Sequence, residues 1–167
     1  MPEVKFSLSD VDAALSILQE AAAWLIASGK PMWKPESLTR EKLNNPAEEF
    51  LVLWVEGEAA ATLTLSFYDP LFWPDLPPGA SGFAHKLAVR RKFAGQGLAA
   101  KLLLHAAELC RQRDVPALRL DTDADRPALH ALYEGLGFRL AGTKRLVPPG
   151  HSDAFDLHLY ALDLAPH

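Results

Sequence analysis

The stretch Val89 to Ala99, VRRKFAGQGLA, brings together residue types that bind an anion: the cations Arg90, Arg91 and Lys92, then Gly95 and Gly97 at the opening of a helical pattern. Glycine lacks a Cβ, so the backbone can turn tightly here and approach a ligand closely. The first N–H groups of a helix have no partner within it, and with the helix dipole they favour negative charge. The chemistry this points to is phosphate binding. The same residues also fit a plain strand-to-helix connection whose cations are simply solvated.

Two elements must position this turn. Phe83 to Val89 reads as a strand with Phe83, Leu87 and Val89 on one face, and Leu98, Leu102, Ala106 and Leu109 form a helical stripe directly after the glycines. A Walker A loop requires Gly-Lys followed by Ser or Thr, whereas Lys101 stands between Ala100 and Leu102, so that reading fails. The dinucleotide fingerprint fits better, since Gly95-x-Gly97-x-x-Ala100 has its spacing and Asp121 ends the next strand at about the expected remove. Against it, Arg90 to Ala94 separate the strand from the glycines, and the rest of the chain does not repeat strand and helix on both sides. Spacing alone leaves a dinucleotide-binding oxidoreductase open.

The turn also resembles the acetyl-CoA loop of the GNAT superfamily of N-acetyltransferases, whose pattern is Arg/Gln-x-x-Gly-x-Gly/Ala. Here it reads Ala94-Gly95-Gln96-Gly97-Leu98-Ala99, with Ala94 in the leading position. The family holds the pyrophosphate mainly by backbone N–H groups, so the resemblance implies a site weakened at Ala94 rather than abolished. Leu87-Ala88-Val89 matches the family strand whose backbone pairs with the pantetheine arm. Further on, Asp125 to Phe138, DRPALHALYEGLGF, is close to the family segment Asn-x-x-Ala-x-x-Leu-Tyr-Glu-x-x-Gly-Phe, with Arg126 standing where the family often has Asn. In this segment Asp125 can cap a helix, Pro127 suits its start, Leu129, Leu132 and Leu136 supply an apolar face, and Gly137 suits its end.

What the resemblance implies is an acetyl-CoA-dependent N-acetyltransferase acting on a primary amine of a small molecule or peptide terminus, with CoA as product. Tyr133 matches the family tyrosine that protonates or stabilises the departing thiolate as general acid; spacing alone favours a tyrosine packed between helix and sheet. His85, on the cofactor strand, is the first candidate for the base that takes the amine proton, since an imidazole titrates in the useful range. It also fits simple packing beside Phe83 and Leu87. Glu49, Asp121 and Asp123 are the other candidates. A non-catalytic CoA-binding or sensory module of the same fold stays open, because Ala94 and Arg126 depart from the pattern.

The remaining segments supply a matching frame. Val4 to Ser7 reads as a strand, and Asp10 caps a helix with the stripe Val11, Ala14, Leu15, Leu18, Ala22 and Leu25, which Gly29 and Pro31 end. Glu36 to Leu43 reads as a short helix, Phe50–Val55 and Ala59–Phe67 as a hairpin, and Phe138–Leu146 with Ala154–Leu164 as a closing antiparallel pair. The order is strand, helices, three strands, helix, strand, helix, two strands. It predicts one α/β (α+β) domain over residues 1–167, with a mixed, mostly antiparallel sheet of about seven strands flanked by about four helices. Tyr68 to Ala80, rich in proline and aromatics, reads as a restrained loop; with Trp24, Met32 and Trp33 it is a candidate wall for the acceptor or a cover for the core.

Composition narrows the function classes. A net charge of −4 and a pI near 5.8 give no electrostatic footprint for nucleic acid. The single cysteine, Cys110, permits no internal disulfide and has no motif marking a nucleophile, so transfer is expected to be direct. Nothing resembles a signal peptide or a membrane span, and a cytoplasmic protein is expected, in which a homodimer is allowed. No metal is expected: His151, Asp153, Asp156 and His158 cluster late in the chain, but alternation along a strand puts the first two on one face and the last two on the other.

Overall fold

Asp10 begins the first helix, α1 (Val11–Ala27), its Oδ1 accepting the Ala13 N–H at 3.1 Å. That bond satisfies one of the N–H groups a helix start leaves without a partner. The structure, a computed structural model, describes residues 3–8, 10–29, 33–147 and 152–164. Pro31, Met32 and His151 lie outside the described residues. Gly29, at φ 78°, takes the left-handed conformation that follows the helix end. Among the described residues seven strands and four α-helices follow one another in the order the sequence predicts.

The chain divides into two compact units, Met1–Ser66 with Ala84–Ala106 and Phe67–Phe83 with Ala107–His167. In the first, β1 (Val4–Leu8), β2 (Glu49–Val55) and β3 (Glu58–Ser66) form antiparallel pairs, with Phe6 opposite Leu53 and Leu51 opposite Leu63. Glu56 and Gly57, both left-handed at φ 49° and 79°, make the β2–β3 turn. β4 (Gly82–Val89) lies beside β3. α1 buries Ala14, Ile17, Leu18, Ala21 and Ala22 against Phe50, Val52, Ala59 and Ala88. Each large aliphatic side chain covered this way contributes about 1.5–3 kcal/mol. The short helix expected over Glu36–Leu43 divides into a 3₁₀ turn at Pro35–Ser37 and α2 (Arg40–Leu43). Leu38 between them is buried, and Thr39 restarts the helix by accepting the Lys42 N–H at 3.3 Å.

In the second unit β7 (Phe155–Asp163) is flanked by β5 (Ala117–Asp123) and β6 (Arg139–Leu146), antiparallel to both. Tyr160 faces Leu120 on one side and Leu140 on the other. α4 (Pro127–Gly135) buries Tyr133, and Gly137 follows it at φ 101°. The Tyr68–Ala80 segment is a loop, as its prolines indicate: the Asp69 carbonyl accepts the Trp73 N–H at 3.0 Å, the Phe67 carbonyl accepts the Gly79 N–H at 2.9 Å, and Lys144 Nζ donates to the Leu71 carbonyl at 3.0 Å.

The helix α3 (Leu98–Gln112) buries Leu98, Leu102, Leu103, Ala106, Ala107 and Cys110. Burial pushes the Cys110 thiol up to about 11, partly offset by the nearby charges of Arg113 and Arg111. A neutral, enclosed thiol is a poor nucleophile. Cys110 is therefore expected to resist Ellman's reagent at pH 8 in the folded protein and to react completely once guanidinium unfolds it.

Among the described residues no helix is long and apolar enough to cross a membrane.

Candidate functional site

The approach to the glycine turn is set by β4. Its Lys86 sits at φ 52°, a left-handed conformation uncommon for a residue with a Cβ, and this interrupts the two-residue alternation of the strand. Phe83, Ala84 and Ala88 are buried while Leu87 and Val89 are half-exposed. The expectation that Phe83, Leu87 and Val89 share one face is corrected accordingly. His85, the candidate base, precedes the irregularity and is half-buried.

Beyond β4 a 3₁₀ turn, Arg91–Phe93, ends in buried Phe93. Ala94, Gly95, Gln96 and Gly97 are all exposed, and α3 starts at Leu98. Gly95 and Gly97 stand at φ 79° and 76°, and a Cβ placed on either would meet no atom within 4 Å. The glycines are thus required by backbone handedness and leave open space above the turn. The Lys101 N–H makes the first bond of α3 to the Gly97 carbonyl at 3.2 Å, so the N–H groups of Leu98, Ala99 and Ala100 precede any bond the helix can offer them. Leu98 points inward and Ala99 is half-buried.

The three cations do not stand free beside this turn. Arg90 donates to the Ala59 carbonyl, Glu20 and Ser16 at 2.7, 3.2 and 2.8 Å, the Arg91 guanidinium lies 4.0 Å over the Trp24 ring, and Lys92 pairs with Glu58 at 2.9 Å. What the turn offers an anion is therefore its backbone. Sequence reasoning missed these partners; the one available signal was the spacing of Ser16, Glu20 and Trp24, four residues apart on a helix.

The second unit carries Tyr133, Arg126, Asp121 and Asp123. Tyr133 is 5% exposed. Burial, and then the charge of Asp121, holds its phenol well above the ordinary tyrosine range. Tyr160, whose ring centre is 5.7 Å from that of Tyr133, donates its hydroxyl to Glu134 Oε2 at 2.8 Å, and burial with that bond pushes it up to about 12. Both groups keep their protons in the folded state after the unfolded chain has begun to lose them near pH 10. Stability is therefore expected to fall as pH rises above about 10. Denaturant midpoints measured between pH 8 and 11, with phenolate absorbance followed at 295 nm, check this.

Asp125 does not cap α4. Pro127 occupies the first helical position and forces the residue before it out of the helical region, so Arg126 takes the cap position, at φ −126°, with no capping bond of its own. Asp123 Oδ1 accepts the Asp125 N–H at 3.4 Å and its other oxygen lies 3.9 Å from Arg126 Nε. In the late cluster, Asp156 pairs with Arg145 at 3.0 Å, and His158 stacks on His130 at 4.5 Å. Of the candidate acceptor-wall residues, Trp33 packs against the core around α1, and Trp73 is half-buried, 5.4 Å below the Arg119 guanidinium. Tyr68 is exposed and Trp24 is 41% exposed beneath Arg91. Glu49 opens β2, half-buried.

Comparison with known proteins covers nearly the whole chain. Residues 18–138 match the model of the Acetyltransferase (GNAT) family. An uncharacterised N-acetyltransferase of Bacillus subtilis is 29% identical over 163 residues, 93% of this chain and 86% of its own. The ribosomal-protein-S18-alanine N-acetyltransferase of Escherichia coli superposes with a TM-score of 0.73 at 25% identity, covering 99% of this chain and 96% of that one. An acetyltransferase of Salmonella typhimurium, solved with its cofactor acetyl-CoA, gives a TM-score of 0.72 at 15% identity over 98% of this chain and 95% of its own.

Proposed function

The chain belongs to the GNAT acetyltransferase family and is an acyltransferase; from that premise we propose that it moves the acetyl group of acetyl-CoA directly to a primary amine on a small molecule or a peptide terminus. The observation that carries the cofactor reading is the exposed Ala94–Gly97 turn, with two left-handed glycines, open space above them and the N-terminus of α3 directly behind. In this reading the N–H groups from Gly95 to Ala99, with those of Gln96, Gly97 and Leu98 between, hold the pyrophosphate. Ala94 contributes backbone only, and the backbone of Leu87, Ala88 and Val89 lies along the pantetheine arm. Arg126 is a further cofactor contact of the same reading.

Bound acetyl-CoA supplies an activated thioester. His85 accepts the proton that the amine nitrogen loses as its new bond to the acetyl carbon forms. Tyr133 gives its phenolic proton to the sulfur as the carbon–sulfur bond breaks, leaving neutral CoA thiol. Tyr133 holds its proton at neutral pH, as any phenol does, and burial keeps it neutral there while making it a weaker acid than an exposed tyrosine. Cys110, enclosed and protonated, supports transfer without an acyl-cysteine. The peptide-terminus option draws on the similar Escherichia coli protein, named for an alanine of a ribosomal protein. We place the reaction in the cytoplasm.

Calorimetry with acetyl-CoA, CoA and NADH at low salt, followed by an amine screen for release of CoA thiol, tests the reading. Binding of acetyl-CoA and amine-dependent thiol release are expected. NADH binding without acetyl-CoA binding would overturn it.

A further inference from the structure

Ser16, Glu20 and Trp24 stand above one another on α1, and the segment leading into the glycine turn lies against that stripe. A single carboxylate spans two successive residues of the segment: Glu20 Oε1 accepts from Arg90 Nη1 at 3.2 Å, and Oε2 accepts the backbone N–H of Arg91, also at 3.2 Å. Ser16 takes a second Arg90 nitrogen at 2.8 Å, and Trp24 lies under Arg91 at 4.0 Å. On the other flank β3 holds the same segment. The Ala59 and Ala60 carbonyls accept from Arg90 Nε and from its backbone N–H at 2.7 and 2.8 Å, and Glu58 pairs with Lys92. The Arg90 side chain is only 16% exposed. Ala94 to Gly97 are exposed; the Ala94 N–H bonds the Arg91 carbonyl at 3.1 Å, and a Cβ on either glycine would meet no atom within 4 Å.

Buried Phe93 and Leu98 bracket the turn, and the clamp before Phe93 fixes the direction from which the chain enters it. We propose that Glu20 is a positioning residue for the cofactor: by fixing Arg90 and the Arg91 N–H against α1, it sets the direction in which the N–H groups of the glycine turn and the α3 N-terminus point. The inference rests on the acetyl-CoA reading above. A flexible turn could reach the same geometry, but ordering it at binding would lower affinity. Arg90 has Ser16 and the Ala59 carbonyl as partners besides Glu20, so its guanidinium is expected to stay bonded in a Glu20 variant. The role is confined to groups bearing the pyrophosphate, which the clamped segment precedes by a few residues.

The test uses two donors with the full chain. S-acetylpantetheine carries the thioester and pantetheine arm without the pyrophosphate. In Glu20→Ala the calorimetric Kd for acetyl-CoA is expected to weaken about tenfold, the scale of a lost charge-assisted hydrogen bond, while the Kd for S-acetylpantetheine stays within about twofold of wild type. Glu20→Gln, which keeps one carbonyl acceptor, should fall between wild type and alanine for acetyl-CoA alone. Equal weakening toward both donors would assign Glu20 a general structural role and overturn the proposal, as would unchanged acetyl-CoA affinity. Wild-type protein that binds no acetyl-CoA would overturn the reading on which the proposal rests, a result distinct from either.

Discussion

Gly97→Glu is expected to weaken acetyl-CoA binding at least 100-fold, about 2.7 kcal/mol at 25 °C, while the protein stays folded. Two effects add. Gly97 stands at φ 76°, and a residue with a Cβ held there pays about 1–2 kcal/mol of backbone strain. Relief of that strain would move the N–H groups at the start of α3. The glutamate would also extend into the open space above the turn, placing a carboxylate where the pyrophosphate is proposed to lie. A Cβ at this position meets nothing within 4 Å, so overpacking is not the cause of any loss. Gly97→Ala separates the two effects, since it brings the strain without the charge and should weaken binding only about tenfold. Calorimetry with acetyl-CoA reads both variants, and thermal melts confirm that they are folded. Equal affinities for Gly97→Glu and wild type would remove the turn from the cofactor site.

The glycine turn was legible because its requirement is local. Two residues that must adopt left-handed φ, followed at once by a 3.6-residue apolar period, leave a signature in adjacent positions, and α3 begins where that signature puts it. The closing β6–β7 pair and the Asp10 cap were readable for the same reason. The partners of the basic cluster were not. Glu20 and Arg90 are 70 positions apart, and no local spacing announces that a cation of the turn will be consumed by the first helix. Lys86 is another limit: nothing in its residue type asks for φ 52°, so no local signal announces the break in alternation that leaves Leu87 and Val89 half-exposed. At α4 the cap shifted by one residue, because Pro127 restricts its predecessor more strongly than Asp125 favours a cap.

Tyr133→Phe is expected to lower kcat about 10- to 1,000-fold, as loss of a general acid does, with acetyl-CoA affinity nearly unchanged. Phenylalanine keeps the ring that packs 6.0 Å from Phe138 and 5.7 Å from Tyr160, so the buried cluster loses one hydroxyl and little else. The leaving group, and not the pH profile, separates proton donation from packing. Burial and the Asp121 carboxylate raise the phenol, so its protonated form is the one present throughout the neutral range. Wild-type kcat should therefore show no loss from phenol ionisation up to about pH 10, the ordinary tyrosine value. A thioester with a better leaving group needs less help from an acid, so the deficit of Tyr133→Phe should shrink when the acetyl group is presented on a more acidic thiol. A deficit independent of the leaving group would show that the hydroxyl serves the packing around Tyr160 instead of the departing sulfur.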